Sequence, residues 1–576
     1  MAWNLKAELR RQLEQEQGYV IYPAGGRERF ALVYPNSYHV GMSNLGIHII
    51  YELLNRRPDT ACERLFLPEK KSLERYERTG TPLMSLETQT PLFRFPVIGF
   101  AVSFEMDYFH IMKILALGHV KLRAAERGEQ EPLLIAGGPC ATFNPEPLSL
   151  IFDAFIIGEG EAILPAFLDA YYAAKADGLP RRELLKRIAG VPGVYVPSLY
   201  EHCYGEDGTL QRISAAEGAP EHITRQWVRD LDDYPAHTVI VTEHTEFDLY
   251  LIETARGCGR HCRFCMAGYC FRRPRNRSLS VIRQEVREAL RYGKRIGLMG
   301  AAISDYPEID ALCKSILGEG LSMSVASFRA DSVTKELVDS LAASGLKTLT
   351  MAPEAGSARM RAVINKGIEE KHLFTAVDLG LAAGIRNFRL YLMIGLPFEA
   401  REDIEAIASL ADRLKDYMEE HGSRGTLTLS INPFVPKPFT PFQWLPMAEK
   451  HDVEAALKII RARLKRRGNI DIVAESPKEA YIQGVLARGD RRMAEVLLRA
   501  HEHGGSKAFR RAMKECGLDA SFYLSRRREP GELFPWDRLD MGFPKSYLYG
   551  ELEKAKQMQA TVACFDGCRR CGVCSS

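Results

Sequence analysis

Three closely spaced cysteines, Cys258, Cys262 and Cys265, have the residue type and spacing to hold an iron–sulfur cluster. Their C-x3-C-x2-C pattern lies on a loop that follows a predicted strand. A four-iron cluster usually takes four thiolates, so with three thiolates one iron keeps an open position for a substrate or co-substrate. Zinc is the alternative, but structural zinc sites take four closed ligands. The pattern therefore favours an iron–sulfur site with one open iron.

A second group of cysteines, called the tail cysteines below, lies near the end of the sequence. It consists of Cys564, Cys568, Cys571 and Cys574. Four thiols at this spacing can close a zinc tetrahedron or hold an auxiliary 4Fe–4S cluster, and we favour the cluster. The sequence does not show whether this tail folds back over the first group. Cys270 lies outside both patterns and is predicted to be a packing residue.

The composition is that of a large globular protein. With 576 residues the chain exceeds one hydrophobic core, and its net charge of +3 excludes a polycation. No run of eighteen or more apolar residues occurs, and the first residues lack the apolar core of a signal peptide. We therefore expect a cytoplasmic protein without membrane association. In such a protein, thirteen cysteines indicate metal or redox chemistry rather than disulfides.

Alternating strand and helix patterns predict an α/β fold with a parallel sheet in the first part of the chain. Residues 1–190 carry glycine at the ends of their predicted strands, which is typical of a doubly wound, Rossmann-like domain. Any ligand of such a domain lies at the carboxyl ends of its strands. Residues 191–245 are less regular and are predicted to be a connecting segment.

A partial barrel is predicted for residues 246–445, where six strand patterns alternate with helices. A complete eight-fold barrel usually needs about 250 residues, so six units fit a partial (β/α)6 barrel. The cysteine loop follows the first of these strands, at the end where barrel active sites lie. Residues 446–576 are predicted to form a helical, basic domain that ends in the Cys-rich tail.

The first cysteine group resembles the signature of the radical SAM superfamily, in which an aromatic residue precedes the last cysteine, as Phe264 does here. The resemblance implies that the open iron binds the amino and carboxylate groups of S-adenosylmethionine (SAM). Reduction of the cluster then cleaves SAM to methionine and a 5′-deoxyadenosyl radical. It also implies an electron donor such as flavodoxin or ferredoxin.

Further barrel segments match the superfamily in order and imply contacts to SAM. The resemblance places Gly300 at the SAM amino group, Ser327 and Arg329 at the carboxylate, Glu354 at the ribose hydroxyls, and Ile394 and Gly395 beside the adenine. Taken alone, Glu354 also fits a carboxylate at a helix start, and Arg329 a solvated charge. The ordered set favours the functional interpretation.

Longer segments resemble one uncharacterised radical SAM family, whose members carry a cobalamin-binding-like domain at the N-terminus. These segments are "APEAGS", "SINPFVPKPFTPFQW", "RGDRR" and "LFPWD", and the Cys-rich tail fits as well. The usual motif for the lower cobalt ligand, Asp-x-His-x-x-Gly, is missing, because His39 precedes Gly41 by only two residues. We therefore predict a retained fold in which bound cobalamin is possible but not favoured.

The substrate is less defined than the chemistry. Basic residues cluster at Arg272, Arg273, Arg275 and Arg277, and again at Arg461, Arg463, Lys465, Arg466 and Arg467. Such clusters make RNA one candidate substrate, while a solvated helix face fits the second cluster equally well. We predict an enzyme that modifies an unactivated carbon, with sulfur insertion or methyl transfer as outcomes. The alternatives are a cobalamin-dependent methyltransferase and a non-catalytic iron–sulfur electron-transfer or binding protein.

Overall fold

The computed structural model describes residues 2–23 and 25–575. The chain forms an α/β structure with a doubly wound N-terminal sheet and a partial barrel, and this confirms the predicted fold class. Within the described ranges, no helix has both the length and the apolar composition to cross a membrane.

The N-terminal sheet has the strand order β2-β1-β3-β4-β5-β6, parallel except for β6. Its strands are β1 (Glu28–Ser37), β2 (Thr60–Leu67), β3 (Val97–Ala101), β4 (Leu133–Gly137), β5 (Ala154–Ile156) and β6 (Val194–Tyr195). Its helices are α1 (Ala2–Leu13), α2 (Tyr38–Gly41), α3 (Leu45–Asn55), α4 (Lys70–Thr79), α5 (Tyr108–Leu117), α6 (Pro139–Phe143), α7 (Gly160–Ala176) and α8 (Arg181–Ala189). The strand order reverses between β1 and β3, so a crevice is expected beyond their carboxyl ends.

Strand β2 was not predicted, because two charged residues interrupt its apolar run. Arg64 is fully buried, and its guanidinium pairs with Glu87 at 2.7 Å and with Glu16 at 2.5 Å. Glu63 accepts a hydrogen bond from Ser85 at 2.6 Å. These ion pairs and hydrogen bonds satisfy the charged groups in the interior of the protein. A sequence pattern cannot show which distant partner a charged residue will meet.

The connecting segment forms a hairpin of β7 (Tyr200–Tyr204) and β8 (Leu210–Ala215), followed by the short β9 (Ile223–Thr224). The barrel strands after it are β10 (Leu249–Glu253), β11 (Ala255–Arg256), β12 (Arg275–Asn276), β13 (Arg295–Met299), β14 (Met323–Val325), β15 (Thr348–Glu354), β16 (Asn387–Ile394), β17 (Leu427–Pro433) and β18 (Ile470–Ala474). Its helices are α9 (Ala267–Cys270), α10 (Leu279–Leu290), α11 (Ile309–Gly318), α12 (Lys335–Ala343), α13 (Ala358–Val363), α14 (Glu370–Ala382), α15 (Arg401–Glu420) and α16 (Lys450–Leu464).

The barrel is an open arc of parallel strands. Two sheets, β10-β13-β14 and β15-β16-β17-β18, meet through a parallel bridge between Phe328 and Met351. The six predicted strands are all present, and β18 adds one more beyond residue 445. Residues of β18 alternate between half-buried and exposed, so this edge strand lacks the apolar run that marks the others.

The C-terminal helices pack on the N-terminal domain rather than forming a separate body. They are α17 (Pro477–Arg488), α18 (Arg492–Glu502), α19 (Phe509–Glu515), α20 (Ala520–Leu524) and α21 (Lys545–Lys556), with β19 (Leu539–Asp540) paired to β9. One hydrophobic core includes Ile111 of α5 and Leu497 of α18, and the rings of Phe109 and Phe509 lie 5.9 Å apart. The barrel has its own core.

A buried ion network joins the N-terminal sheet to the barrel. Glu159, which follows β5, accepts hydrogen bonds from Arg256 Nη1 at 3.0 Å and from Arg275 Nη2 at 2.6 Å. Arg256 also bonds Glu161 and Glu253, each at 2.9 Å. Because Arg256 lies next to the cysteine loop, this network fixes the base of that loop against the N-terminal domain.

We expect Glu159→Gln to destabilise the protein by about 3 kcal/mol, because it removes the carboxylate paired with the buried Arg275 and one of the three carboxylates bonded to Arg256. Thermal unfolding of the full chain measures the effect. Glu183→Gln is the matched control: Glu183 pairs with Lys186 on the surface, so a change below about 0.5 kcal/mol is expected. Equal midpoints for the two variants would contradict the structural role of the network.

The same contact is expected to depend on pH. Burial pushes the pKa of Glu159 upward, but the hydrogen bond from Arg275 and the charge of Arg256 outweigh it and hold that pKa below its usual value. A depressed carboxyl pKa contributes stability above the unfolded value of about 4.3, and this contribution is lost as the pH falls through the folded value. The stability gap between wild type and Glu159→Gln should therefore close below about pH 4.

Candidate functional site

The cysteine loop, residues 257–274, leaves the barrel at the end of β11 and returns through β12, which pairs antiparallel with β11. Gly257 begins the loop with φ of +80°, and a Cβ there would lie 2.2 Å from the carbonyl oxygen of Phe271. Only glycine fits this close approach. The pinched neck holds the three cysteines at the mouth of the barrel, where the sequence predicted them.

The three thiols of the loop lie close enough together to influence one another. Cys262 is buried, while Cys258 and Cys265 are partly exposed. Burial is the largest cause that raises the pKa of Cys265 to about 12, and the neighbouring Cys262 adds to the rise. The same two causes raise the pKa of Cys258. Thiols of this kind become thiolates when a metal binds, since metal binding releases their protons. The donor set therefore fits a metal cluster.

Arg329 lies beside the three cysteines of the loop, and hydrogen bonds to other protein groups hold it there. Its guanidinium bonds Asp331 at 3.0 Å and the carbonyl oxygen of Lys366 at 2.6 Å, and Nη1 approaches Cys262 Sγ at 3.9 Å. It is buried, which excludes the solvated charge that was the alternative. Ser327 is expected to bind the SAM carboxylate together with Arg329. It lies two residues before Arg329 and is half-buried.

Glu354 lies at a bulge at the end of β15 with φ of +66°, a conformation that a non-glycine residue seldom adopts. Its carboxylate accepts a hydrogen bond from Lys366 Nζ at 3.0 Å. The same ammonium lies 5.8 Å from the centre of the Phe264 ring. Lys366 thus links the predicted ribose ligand to the cysteine loop, and the sequence reasoning missed it.

The other predicted SAM contacts lie at neighbouring strand ends. Gly300 follows β13 and is exposed, whereas Ile394 is fully buried at the end of β16. Gly395 has φ of +75°, and its N–H donates to Glu399 Oε2 at 2.7 Å. Burial raises the pKa of Glu399 to about 7. All predicted contacts thus lie at carboxyl ends of barrel strands, and their contact with SAM stays a prediction.

A cavity of about 510 Å³ lies between the barrel mouth and the N-terminal sheet. Its lining includes loop residues such as Gly257 and Phe271, Gly300 from the barrel, and Gly99 and Gly137 from the sheet. Helices α3 and α7 close it from one side. Sequence reasoning expected a ligand at the strand ends of each domain, but not that both ends face one shared space.

The C-terminal tail folds back onto the cysteine loop from another side. The N–H of Cys564 donates to the carbonyl oxygen of Gly259 at 2.8 Å. Asn365 donates to the carbonyl oxygens of His261 at 3.2 Å and of Thr561 at 2.9 Å. One backbone hydrogen bond and the side chain of Asn365 therefore join the two cysteine groups, which the sequence alone does not show.

His261, within the first cysteine motif, touches the tail directly. Its Nε2 lies 3.2 Å from Cys564 Sγ, while Nδ1 faces Arg272 Nη2 at 3.0 Å and Tyr547 Oη at 2.8 Å. Burial and the charge of Arg272 lower the pKa of His261 to about 3, so the ring is neutral. Sequence reasoning overlooked this histidine because its partners come from the far end of the chain.

The tail cysteines lie near one another. Burial raises the pKa of Cys564 to about 11, and Cys568, Cys571 and Cys574 add to the rise. Across residues 2–23 and 25–575, no three His, Cys, Asp or Glu side chains converge closely enough to hold a single metal ion. Within these ranges, neither cysteine group therefore forms a site for a single metal ion. A four-iron cluster makes a different demand, because each thiolate binds a different iron.

One expectation about the basic residues is wrong. Arg272, Arg275 and Arg277 are buried and bond protein groups, so they cannot contact RNA phosphates. Arg273 is exposed. The second basic cluster lies at the end of α16 and is largely exposed, and within it Arg467 pairs with Asp416 and Glu419 of α15. Cys270 is fully buried, in agreement with its predicted packing role.

Two family models match this chain. The model "Radical SAM proteins, N-terminal" matches residues 46–197, and "Radical SAM superfamily" matches residues 252–411, which include the cysteine loop. The uncharacterized protein MJ0966 of Methanocaldococcus jannaschii is 30% identical over 471 residues, covering 81% of this chain and 90% of that protein.

Solved structures with a similar fold include two enzymes that were solved with cobalamin bound. The methyltransferase TsrM from Kitasatospora setae, solved with cobalamin and a [4Fe-4S] cluster, is 14% identical over 85% of this chain and 100% of its own, with a TM-score of 0.47. OxsB, solved with aqua-cobalamin and SAM, is 15% identical over 69% of this chain and 55% of its own, with a TM-score of 0.46. From its family matches and its relative, this chain belongs to the radical SAM superfamily of enzymes, which use a 4Fe–4S cluster and SAM.

Proposed function

We propose that this enzyme cleaves SAM reductively at a cluster held by Cys258, Cys262 and Cys265, and that the radical acts on an unactivated carbon of a substrate in the shared cavity. The observation that carries the proposal is that the loop holding the three thiols also lines this cavity, through Gly257, Ala267 and Phe271. When bound, the cluster and SAM supply the 5′-deoxyadenosyl radical. The protein supplies the thiolates, the orientation of SAM and the exclusion of water.

The residues around the loop fit distinct parts of SAM. Glu354 has carboxylate oxygens that suit ribose hydroxyls, and the ion pair with Lys366 holds it in place. Gly300 and Ser327 lie at the ends of β13 and β14, where they suit the amino and carboxylate groups. Arg329 supports the cluster ligand Cys262 as well as the SAM carboxylate. Ile394 and Gly395 offer an apolar edge for the adenine.

The cavity lining favours a compact, largely apolar substrate over RNA. Leu32, Phe100 and Ile135 line it from the sheet. Its charged groups are carboxylates, such as Glu161, and Arg256, whose charge they already balance. A nucleic-acid site would present free cations to phosphates. Hydrogen abstraction from carbon requires shelter from water, which a mostly apolar lining favours.

Replacing Cys258, Cys262 and Cys265 together with alanine is expected to abolish one cluster and the formation of 5′-deoxyadenosine. Anaerobically reconstituted protein, treated with dithionite and SAM, is analysed for iron, sulfide and 5′-deoxyadenosine. Cys270→Ala is the matched control, because this buried thiol of the same loop is not assigned to the cluster. Product formation by the triple variant, or its absence in well-loaded wild type, would sink the proposal.

Glu354→Gln is expected to weaken SAM binding about tenfold, or about 1.4 kcal/mol, because the ribose loses a charged acceptor and Lys366 loses its partner. Calorimetric titration with SAM gives the affinity, and the Michaelis constant should rise more than the turnover falls. Glu402→Gln, an exposed carboxylate on α15, serves as the control. Unchanged affinity in Glu354→Gln would remove Glu354 from the SAM site.

A second candidate function is cobalamin-dependent methyl transfer, and the observation that favours it is the position of the cavity. It extends from the barrel mouth over one face of the N-terminal sheet, where Gly99, Ala101 and Gly137 leave room beside α3 and α7. A space in this position suits a cofactor bound between the N-terminal sheet and the cysteine loop. Among the described residues no histidine lines the cavity, and His39 is exposed on α2, so a corrinoid would bind without a histidine ligand.

Anaerobic full-length protein incubated with hydroxocobalamin is expected, if this second function holds, to retain a stoichiometric corrinoid with a visible absorption band after gel filtration. Gly137→Leu should abolish retention by filling the cavity, since a Cβ at Gly137 meets only the Ile156 side chain, at 3.5 Å. Gly318→Leu, on the open surface of α11, is the control. Absence of corrinoid from wild type would rule the candidate out.

A further inference from the structure

The tail cysteines contact the cysteine loop but do not line the shared cavity. Contacts at Gly259, His261 and Asn365 join the tail to the loop. Among the described residues that line the cavity, all lie between Phe30 and Ala301, so none comes from the tail. The tail group thus touches the catalytic loop from outside this cavity.

We propose that the tail cysteines hold a second iron–sulfur cluster, docked on the outer side of the loop, that takes up electrons from a carrier protein. This inference rests on the proposed function, since the loop must then receive electrons one at a time. The step moves one electron and no atoms: the reduced carrier is oxidised as the tail site is reduced, and the same electron leaves toward the loop.

The hydrogen bonds of His261 define how the tail site meets the loop. Arg272 carries only donors, so its contact with Nδ1 at 3.0 Å means that Nδ1 is the accepting nitrogen. With Nδ1 accepting, the ring proton is on Nε2, which donates to Cys564 Sγ at 3.2 Å. Hydrogen bonds to ligand sulfur set the potential of iron–sulfur clusters. One residue of the catalytic motif thus tunes the tail site.

The exposed edge of the tail fits an acidic carrier. Cys574 is exposed, and the charge of Arg273 acts on it. Arg569 is exposed nearby in sequence, and the Phe565 side chain is 63% exposed. Positive charge around an apolar contact complements acidic one-electron carriers such as flavodoxin and steers their approach.

The first test compares metal content. In anaerobically reconstituted full-length protein, C568A/C571A is expected to lose half of the iron and sulfide and one of two paramagnetic signals after reduction. Cys516→Ala, a half-buried thiol outside both groups, should match wild type. Unchanged iron in C568A/C571A, or zinc at the tail in wild type, overturns the proposal. Loss of the other cluster, in the loop variant, reports separately on the proposed function.

The second test measures the contact itself. His261→Leu removes the N–H donor and is expected to shift the midpoint potential of the tail cluster to a more negative value, followed by paramagnetic resonance during redox titration. Tyr547→Phe is the control, because Arg272 still donates to Nδ1 in that variant. His261→Gln, which keeps an N–H donor, should recover part of the shift. Equal potentials in all four proteins contradict the assigned hydrogen bond.

Electron delivery gives a third readout. SAM cleavage driven by reduced flavodoxin is compared with cleavage driven by dithionite, a small reductant that does not need the tail. The ratio of the flavodoxin-driven rate to the dithionite-driven rate is expected to fall sharply in C568A/C571A. It should stay at the wild-type value in Cys516→Ala. An unchanged ratio in C568A/C571A would show that electrons reach the loop by another route.

Discussion

The buried charge pairs between Glu159 and the arginines Arg256 and Arg275 hold the N-terminal sheet against the barrel, and the site depends on them. Desolvating these ions is costly, and only their mutual bonds repay the cost. Arg256 ends β11 and Arg275 begins β12, so the pairs clamp both ends of the cysteine loop. The loop position, and the cavity beside it, therefore follow from contacts with another domain.

The loop is completed by parts of the chain far apart in sequence. Gly257 closes its neck, Asn365 joins it to the tail, and His261 places an N–H on a tail thiol. The contacts of Asn365 and His261 satisfy polar groups that burial would otherwise leave unpaired. A loop held in this way keeps its three thiols in place for metal binding, and it needs the last residues of the chain to do so.

The hydrophobic cores divide the chain differently from the predicted boundaries. Residues of α18 share a core with α5 of the N-terminal sheet, while β10 to β18 surround a core of their own. The C-terminal helices thus brace the domain that covers the barrel mouth. In sequence, α21 connects these bracing helices to the tail cysteines, which contact the loop.

Local sequence pattern was sufficient for the α/β class, the six apolar barrel strands and the loop that carries Cys258, Cys262 and Cys265, since spacing and apolar runs are properties of neighbouring residues. It was insufficient for β2, whose Arg64 and Glu63 are paired in the interior, and for the exposed edge strand β18. Lys366 and His261, the shared cavity and the docked tail were decided only by the tertiary structure. Their physical basis is pairing between groups distant in sequence, and no local pattern records which distant charge, donor or apolar face a residue will meet.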